Sequence, residues 1–251
     1  MWHFTQEGLS KMQQIISDPY FKVTIDLNGS SPKPAHSIWT AQHVCVSDSF
    51  APDDPIPDNP TRAIIDNQLK VKHWSVLEFG FVVLHFQGFP HDTVMQLVRH
   101  QDSKPLVQSM RYTGDKMRRC GNGEYDTEEL FYVQPVGKYA TRSGTYEFTD
   151  SDRREYLSEY QLSAQSYSRA VSKGQPEEVA RRLLAAGYRQ NFTMAGTIRA
   201  VFHWLDQRTL ADSQLEAQTL ASMALDELES WDPGLFNWYR SQRMSKNLLA
   251  P

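Results

Sequence analysis

The sequence predicts an α+β fold: a single compact domain over residues 1–251, with a small sheet packed by helices and a helix-rich C-terminal third. Three observations predict it. Two stretches with strand character, "FKVTIDLNG" and "FGFVVLHF", fall in the first third of the chain. Apolar stripes at helical spacing, with end signals, dominate from residue 149 onward. A chain of 251 residues that is 40% hydrophobic and 12% aromatic can bury a substantial core. No repeat, low-complexity tract or domain boundary divides it.

Taken in order, residues 4–17 carry Leu9, Met12, Ile15 and Ile16 at helical spacing and predict a helix feeding an edge strand. That strand is "FKVTIDLNG", which alternates in polarity and ends in an Asn-Gly turn. "SFAPDDPIPDNPTR" has four prolines interleaved with Asp and Asn and reads as a loop. Pro60 suits the first turn of a helix carrying Ile64, Ile65 and Leu69. The Val- and Phe-rich second half of "HWSVLEFGFVVLHFQGF" predicts a buried strand. "PHDTVMQLVRH" predicts a short helix with Val94, Leu97 and Val98 inward. From Tyr112 to Ser151 the chain is Gly- and Tyr-rich and reads as an excursion from the core, with "CGNGEY" a hairpin turn and "LFYVQP" a short strand. "TDSDRREYLSEYQLSAQSYSRAVSKG" predicts a long polar helix, and "PEEVARRLLAAG" a second one opened by Pro176 and closed by Gly187. Residues 197–207 and 213–229 supply two more helices. The last carries Leu220, Met223, Ala224, Leu228 and Trp231 as its core stripe, with Ser213 and Glu216 as a capping box.

Composition narrows the function classes. The longest apolar run, Phe79 to Phe86, is far below the ~20 residues that span a bilayer. The N-terminal stretch lacks a basic start, apolar centre and small-residue cleavage site, so the expected location is the cytoplasm. Cys45 and Cys120 form neither a disulfide framework nor a C-x-x-C metal spacing. His85 and His91 have no third ligand at a usable spacing, and no metal is predicted.

One window stands against the formal net charge of −4. From Arg99 to Arg119 the chain places Arg99, Lys104, Arg111, Lys116, Arg118 and Arg119 against only Asp102 and Asp115. Such a cluster is either a solvated basic face or an anion site, since arginine offers a bidentate fork to phosphate. It sits where a helix ends and a new segment begins.

Within it, Arg99, His100, Gln101, Ser109, Arg111 and Tyr112 resemble the signature of the flavin-dependent thymidylate synthases. Other landmarks of that family follow in order. "HWSVLEF" resembles its His-x-Ser/Thr-x-x-Glu element through His73, Ser75 and Glu78; "ARRLL" resembles an Ala-Arg element; and "RAVFHWLDQRTLADSQLEAQTLA" resembles its C-terminal signature with a Gln-x-Glu helix. The resemblance spans roughly Val44 to Trp231. There are departures: Gln101 stands for the usual arginine, Val107 for a frequent glutamate, and His203 and Thr197 for frequent asparagines.

The resemblance implies methylation of dUMP at C5 to dTMP, with methylenetetrahydrofolate giving the carbon, FAD carrying the hydride and NADPH reducing the flavin. It implies Arg208 as the cation beside the uracil oxygens, where it would stabilise developing charge; an exposed helix-end arginine is the other reading. Gln108, Ser109, Arg111, Arg181 and Arg208 are implied for dUMP, with surface salt bridges the other reading of Arg111 and Arg181. Gln96, one helical turn before His100, is either a further dUMP contact or a polar helix face. Arg99, His100, Gln101, Ser75, Glu78, Arg199 and His203 are implied for FAD, while His73 is equally a structural cap. Ser109 invites a nucleophile reading, but no base is fixed beside it, and a positioning hydroxyl is preferred. Neither cysteine stands in the Pro-Cys context of the folate-only thymidylate synthases. The family's sites are built from several subunits of a homotetramer, and a homotetramer is expected here.

Two other classes remain in view. One is a binding module, either a non-catalytic flavin- or nucleotide-binding relative or an RNA binder; the latter would want aromatics interleaved along a broad basic surface, and the rest of the chain is acidic. A flavin enzyme acting on another pyrimidine nucleotide would share most of the motif. Neither nucleic acid nor membrane is an expected partner.

Overall fold

The computed structural model describes residues 16–141 and 144–248. Four antiparallel strands form the main sheet in the order β1 (Lys22–Ile25), β2 (Phe81–Pro90), β6 (Arg189–Thr197), β3 (Lys104–Val107). β1 is an edge strand, as its sequence predicts. The predicted helix before it lies outside the described residues except for Ile16, which is buried and donates its backbone N–H to Thr219 Oγ1 at 3.1 Å. β2 is the predicted buried strand. Its alternation is physical: Val82, Leu84 and Phe86 point into the core, whereas His85 and Gln87 face out.

A bulge between Phe86 and Phe89 shifts the β2–β6 register. Gly88 sits in it at φ +81°, where an added Cβ would lie 2.2 Å from the Tyr20 carbonyl oxygen. Only glycine fits both the angle and the gap.

β3 carries Pro105 in mid-strand, which is tolerated because β3 is the other edge and the missing N–H costs the sheet no inner ladder bond. A separate hairpin pairs β4 (Gly137–Thr141) with β5 (Gly144–Phe148).

Helices cover one face of the sheet. α1 (Pro34–His43), α9 (Ile198–Arg208), α10 (Leu215–Trp231) and α11 (Pro233–Gln242) bring Ile38, Trp39, Ile198, Val201, Phe202, Leu205, Leu220, Ala224, Leu228, Leu235 and Phe236 onto the inward side chains of β2 and β6. In the predicted stripe of α10, Leu220, Ala224 and Leu228 are buried, and Met223 and Trp231 are partly so. α2 (Pro60–Ile64) begins at Pro60 as expected. Asn59 caps it by accepting the Arg62 N–H at 2.8 Å, and a π turn over Ile65–Leu69 continues it.

Residues 112–151 are less of an excursion than their composition suggests. α4 (Met110–Thr113), α5 (Asp115–Gly121) and α6 (Thr127–Leu130) pack on α7 (Asp150–Ser172) around a second apolar cluster, with Met117, Cys120, Phe131, Ala164 and Tyr167 buried. α7 is the predicted long polar helix, and a capping box between Thr149 and Asp152 opens it.

Several expectations are corrected. "CGNGEY" is not a hairpin turn but the end of α5: Gly123, at φ +82°, donates to the Cys120 carbonyl at 2.9 Å and Glu124 to the Arg119 carbonyl at 3.0 Å, a Schellman cap. "LFYVQP" is reduced to one bridge, Phe131 to Tyr188. "PEEVARRLLAAG" is one helical turn, α8 (Glu177–Ala180), followed by a 3-10 turn over Arg181–Leu183, and Gly187 closes no helix. Ser163 Oγ accepts the Ala185 N–H and donates to the Leu183 carbonyl, holding the chain off the helical path. The N-cap of α10 is Gln214, and the Ser213 hydroxyl donates instead to the Gln207 carbonyl at 2.7 Å, so the predicted capping box is absent. No helix among the described residues is long and apolar enough to cross a membrane.

Candidate active site

The basic window divides on folding. Its first part is a tight turn at the end of α3 (His91–Leu97), closed by His100 N–H to the Leu97 carbonyl and Ser103 N–H to the His100 carbonyl, each at 3.1 Å. That turn faces α9 across a cleft of about 450 Å³ lined by Arg99, His100, Gln101, Asp102, His203, Gln207 and Arg208. Ile198, Val201, Phe202 and Leu205 of α9 are buried, so Arg199, His203 and Gln207, spaced four apart, share the opposite face. Arg208 closes the helix at the border between the two faces.

Arg208 is half-buried and held from two sides. Its Nε donates to His100 Nε2 at 3.0 Å, its Nη1 to Gln96 Oε1 at 3.4 Å, and its Nη2 to the Gln96 carbonyl at 3.3 Å. Burial, then the neighbouring Arg99 charge, push its pKa below the usual guanidinium value. A guanidinium only donates, so His100 accepts through Nε2 and its ring proton belongs on Nδ1. His100 is 7% exposed; its burial, followed by the charges of Arg208 and His203, lowers its pKa to about 4. At neutral pH it is an uncharged acceptor.

The His203 ring meets the His100 ring edge-on at 5.8 Å. Its Nδ1 lies 3.1 Å from Asp102 Oδ2 and its Nε2 lies 2.7 Å from the Gln207 amide nitrogen. The carboxylate only accepts, which puts the ring proton on Nδ1 and leaves Nε2 to take the amide donor.

The other predicted residues fall elsewhere. Glu78 and Arg199 form an ion pair between the 3-10 turn Trp74–Phe79 and the start of α9, and Ser75 is exposed on that same turn. Gln108 continues the β3–β6 ladder: its N–H donates to the Asn191 carbonyl at 2.9 Å and its Oε1 accepts the Asn191 N–H at 3.2 Å. It lines a second hollow of about 450 Å³ on the open face of the sheet, with His85, Leu106 and Thr193. Ser109 caps α4 by accepting the Arg111 N–H at 3.4 Å. Arg111 pairs with Glu178 at 3.1 Å, and Arg181 is exposed on the 3-10 turn after α8. None of Gln108, Ser109, Arg111 and Arg181 lines the cleft.

Farther along the window, Arg118 pairs with Asp115 and Arg119 with Glu124. Much of the local positive excess is therefore neutralised at the surface, and the cleft keeps Arg99 and Arg208. Sequence reasoning missed Asp102 and Gln207. Gln207 could have been found as the next member of the Arg199–His203 series on α9, and Asp102 as the acidic residue within the turn that follows α3.

The sequence model described as "Thymidylate synthase complementing protein" matches residues 26–234. The chain belongs to the flavin-dependent thymidylate synthase family. A flavin-dependent thymidylate synthase of Haloarcula marismortui is 26% identical over 197 residues, 76% of this chain and 80% of the relative. One from Sulfolobus acidocaldarius is 23% identical over 72% of this chain, which spans 62% of that relative's length. Among solved structures, the UMP/dUMP methylase PolB from Streptomyces cacaoi, bound with 5-Br dUMP, aligns with a TM-score of 0.74 at 21% identity and covers 92% of this chain and 98% of its own. Thymidylate synthase X of Helicobacter pylori, with FAD and dUMP, aligns with a TM-score of 0.66 at 16% identity over 86% of this chain and 97% of its own. At such identity these structures establish the fold.

The cleft's chemistry suits the family's flavin and nucleotide. It offers two guanidinium groups, two carboxamides and two histidines against one carboxylate. That donor-rich set matches phosphate and pyrimidine oxygens.

Proposed function

We propose that this chain methylates dUMP at C5 to give dTMP, taking the carbon from methylenetetrahydrofolate, with FAD and NADPH. The observation that carries this reading is Arg208, a half-buried guanidinium held by His100 and Gln96 at the rim of the cleft. FAD supplies hydride chemistry when bound. The chain's own residues bind and polarise. Arg208 stabilises negative charge as it builds on the uracil oxygens, and burial strengthens that effect. His100, uncharged, holds Arg208 without competing for the anion. Arg99, Gln101 and His203 line the flavin side of the cleft, with Ser75, Glu78 and Arg199 continuing it toward the 3-10 turn.

Gln108, Ser109, Arg111 and Arg181 lie apart from this cleft, and in the proposed homotetramer they reach the nucleotide of a neighbouring subunit's cleft. Ser109 serves there through its hydroxyl as a positioning group, since its Oγ is engaged as an N-cap acceptor and hydrogen-bonds to no base among the described residues. Residues 112–151 are the proposed family-variable part of the domain. The enzyme works in the cytoplasm in this reading.

A second reading, in which UMP is also a substrate, is favoured by the fold match to a UMP/dUMP methylase. Purified protein supplied with FAD, NADPH and methylenetetrahydrofolate is offered dUMP or UMP, and the methylated product is measured. The expected product is dTMP, lost by about 10²–10³-fold in Arg208→Ala with the fold intact. Product from UMP at a comparable rate would widen the substrate class. Normal turnover in Arg208→Ala would remove the assignment of that residue.

A further inference from the structure

We propose that Asp92 and Gln214 are positioning residues that set the direction of the Gln96 carboxamide and, through it, hold the Arg208 guanidinium; the inference rests on the reading of Arg208 as the substrate-facing cation. Asp92 stands in the first turn of α3 and Gln96 one turn later, so both lie on one helix face. Gln214, at the N-cap of α10, reaches both. Its Nε2 donates to Asp92 Oδ2 at 3.4 Å, and its Oε1 accepts from Gln96 Nε2. Gln96 Oε1 then accepts from Arg208 Nη1 at 3.4 Å.

The polarity of this series follows from its ends. A carboxylate only accepts and a guanidinium only donates, while each carboxamide has one donor end and one acceptor end. Two carboxamides between such ends have a single arrangement that satisfies every contact. If Gln96 turned over, its NH₂ would face the guanidinium and its oxygen would face the Gln214 oxygen. Asp92 therefore fixes Gln214, Gln214 fixes Gln96, and Gln96 presents two acceptors to Arg208, its side-chain Oε1 and its carbonyl. The other Asp92 oxygen accepts the Thr93 N–H at 2.7 Å, which holds the carboxylate in place. Neither Asp92 nor Gln214 itself needs to touch the nucleotide.

The test uses the full chain loaded with FAD. Gln214→Met keeps the side-chain length and removes both hydrogen bonds; it should weaken dUMP binding, read by titration calorimetry, about tenfold, the size of one lost hydrogen bond to a charged group. Its thermal midpoint should stay near wild type. Asp92→Ala added to it should cost nothing more, because the two act in series. Gln214→Glu sets two carboxylates face to face and should also weaken binding, whereas Asp92→Asn with Gln214→Glu restores the order of donors and acceptors and should recover affinity to within about threefold.

A second readout needs no nucleotide. Arg208 is among the groups that depress the His100 pKa, so the imidazole should titrate higher by NMR in Gln214→Met. Unchanged dUMP affinity and an unchanged His100 titration in Gln214→Met, or no recovery in the double variant, would overturn the relay. A wild-type enzyme that ignores dUMP while His100 still responds to Gln214→Met would instead overturn the substrate assignment and leave the relay standing.

Discussion

His100 gives the most quantitative handle on the cleft. In an unfolded chain it takes up a proton near pH 6.5; in the fold its pKa is about 4, with burial the largest cause and the Arg208 and His203 charges next. Because the group is 7% exposed, water screens it only slightly. Between those two pH values the unfolded state binds more protons than the folded state, so stability falls as pH drops through the window. The loss begins below about pH 6.5, is complete near pH 4 and is absent above 6.5. The gap corresponds to about 3 kcal/mol, a large share of a typical domain's stability.

The measurement compares urea unfolding of the wild type and His100→Gln at pH 7, 5.5 and 4. Glutamine keeps an acceptor for Arg208 and cannot titrate. Asp206 and Asp232, whose pKa values burial raises, contribute with the opposite sign but equally in both proteins, so they cancel in the difference. The wild type should lose about 3 kcal/mol more than His100→Gln between pH 7 and 4. Parallel stability curves, or an NMR titration of His100 near 6.5, would refute the burial argument and with it the neutral acceptor assigned to this residue.

Two further substitutions test the frame behind the cleft. Arg243 and Asp206 form a buried ion pair at 2.5 Å, with the Tyr239 hydroxyl donating to the same carboxylate at 3.0 Å; Arg243→Ala strands that carboxylate on α9 and should cost about 3–5 kcal/mol in urea unfolding at pH 7, a loss under about 1 kcal/mol counting against it. Gly88→Ala forces a Cβ toward the Tyr20 carbonyl at a positive φ and should cost at least about 2 kcal/mol, seen as a thermal midpoint lowered by roughly 4–8 °C; an unchanged midpoint would mean the bulge can relax.

Much of the fold was legible where local pattern and tertiary context agree. β2, α7 and α10 each carry a long, unambiguous apolar or capping signal, and each forms where it should. The central strand β6 was not legible. Its inward positions are Gln190, Phe192, Met194 and Gly196, so only two of them carry a strong apolar signal, and the strand is recognisable only through its partners on both sides. β3 was hidden in the same way by Pro105 and by the exposed Leu106. The short α8 shows the opposite failure, a helical pattern overruled by the Ser163 hydroxyl. At the site, family motifs marked His100, His203 and Arg208, but charge counting overestimated the basic window, since the acidic partners of Arg111, Arg118 and Arg119 are close in space and only partly close in sequence.

The cleft depends on the strand that was hardest to read. Thr197 pairs with Phe81 at the end of β6 and then caps α9 by accepting the Ala200 N–H at 3.3 Å, so sheet register sets the rotational phase of the helix. With that phase, Ile198, Val201, Phe202 and Leu205 enter the core, His203 and Gln207 face the turn that holds His100, and Arg199, on the same helix face, pairs with Glu78. A slip of one residue in β6 would reverse its inward and outward faces and rotate the start of α9 by about 100°. Gly80 allows this register, because any Cβ there would lie 2.6 Å from the Ile198 side chain at the first turn of α9. The positions of Arg208 and His203 are therefore fixed by pairing made a full helix earlier in the chain, and changes at Gly80 or Thr197 should reach the cleft without touching any residue that lines it.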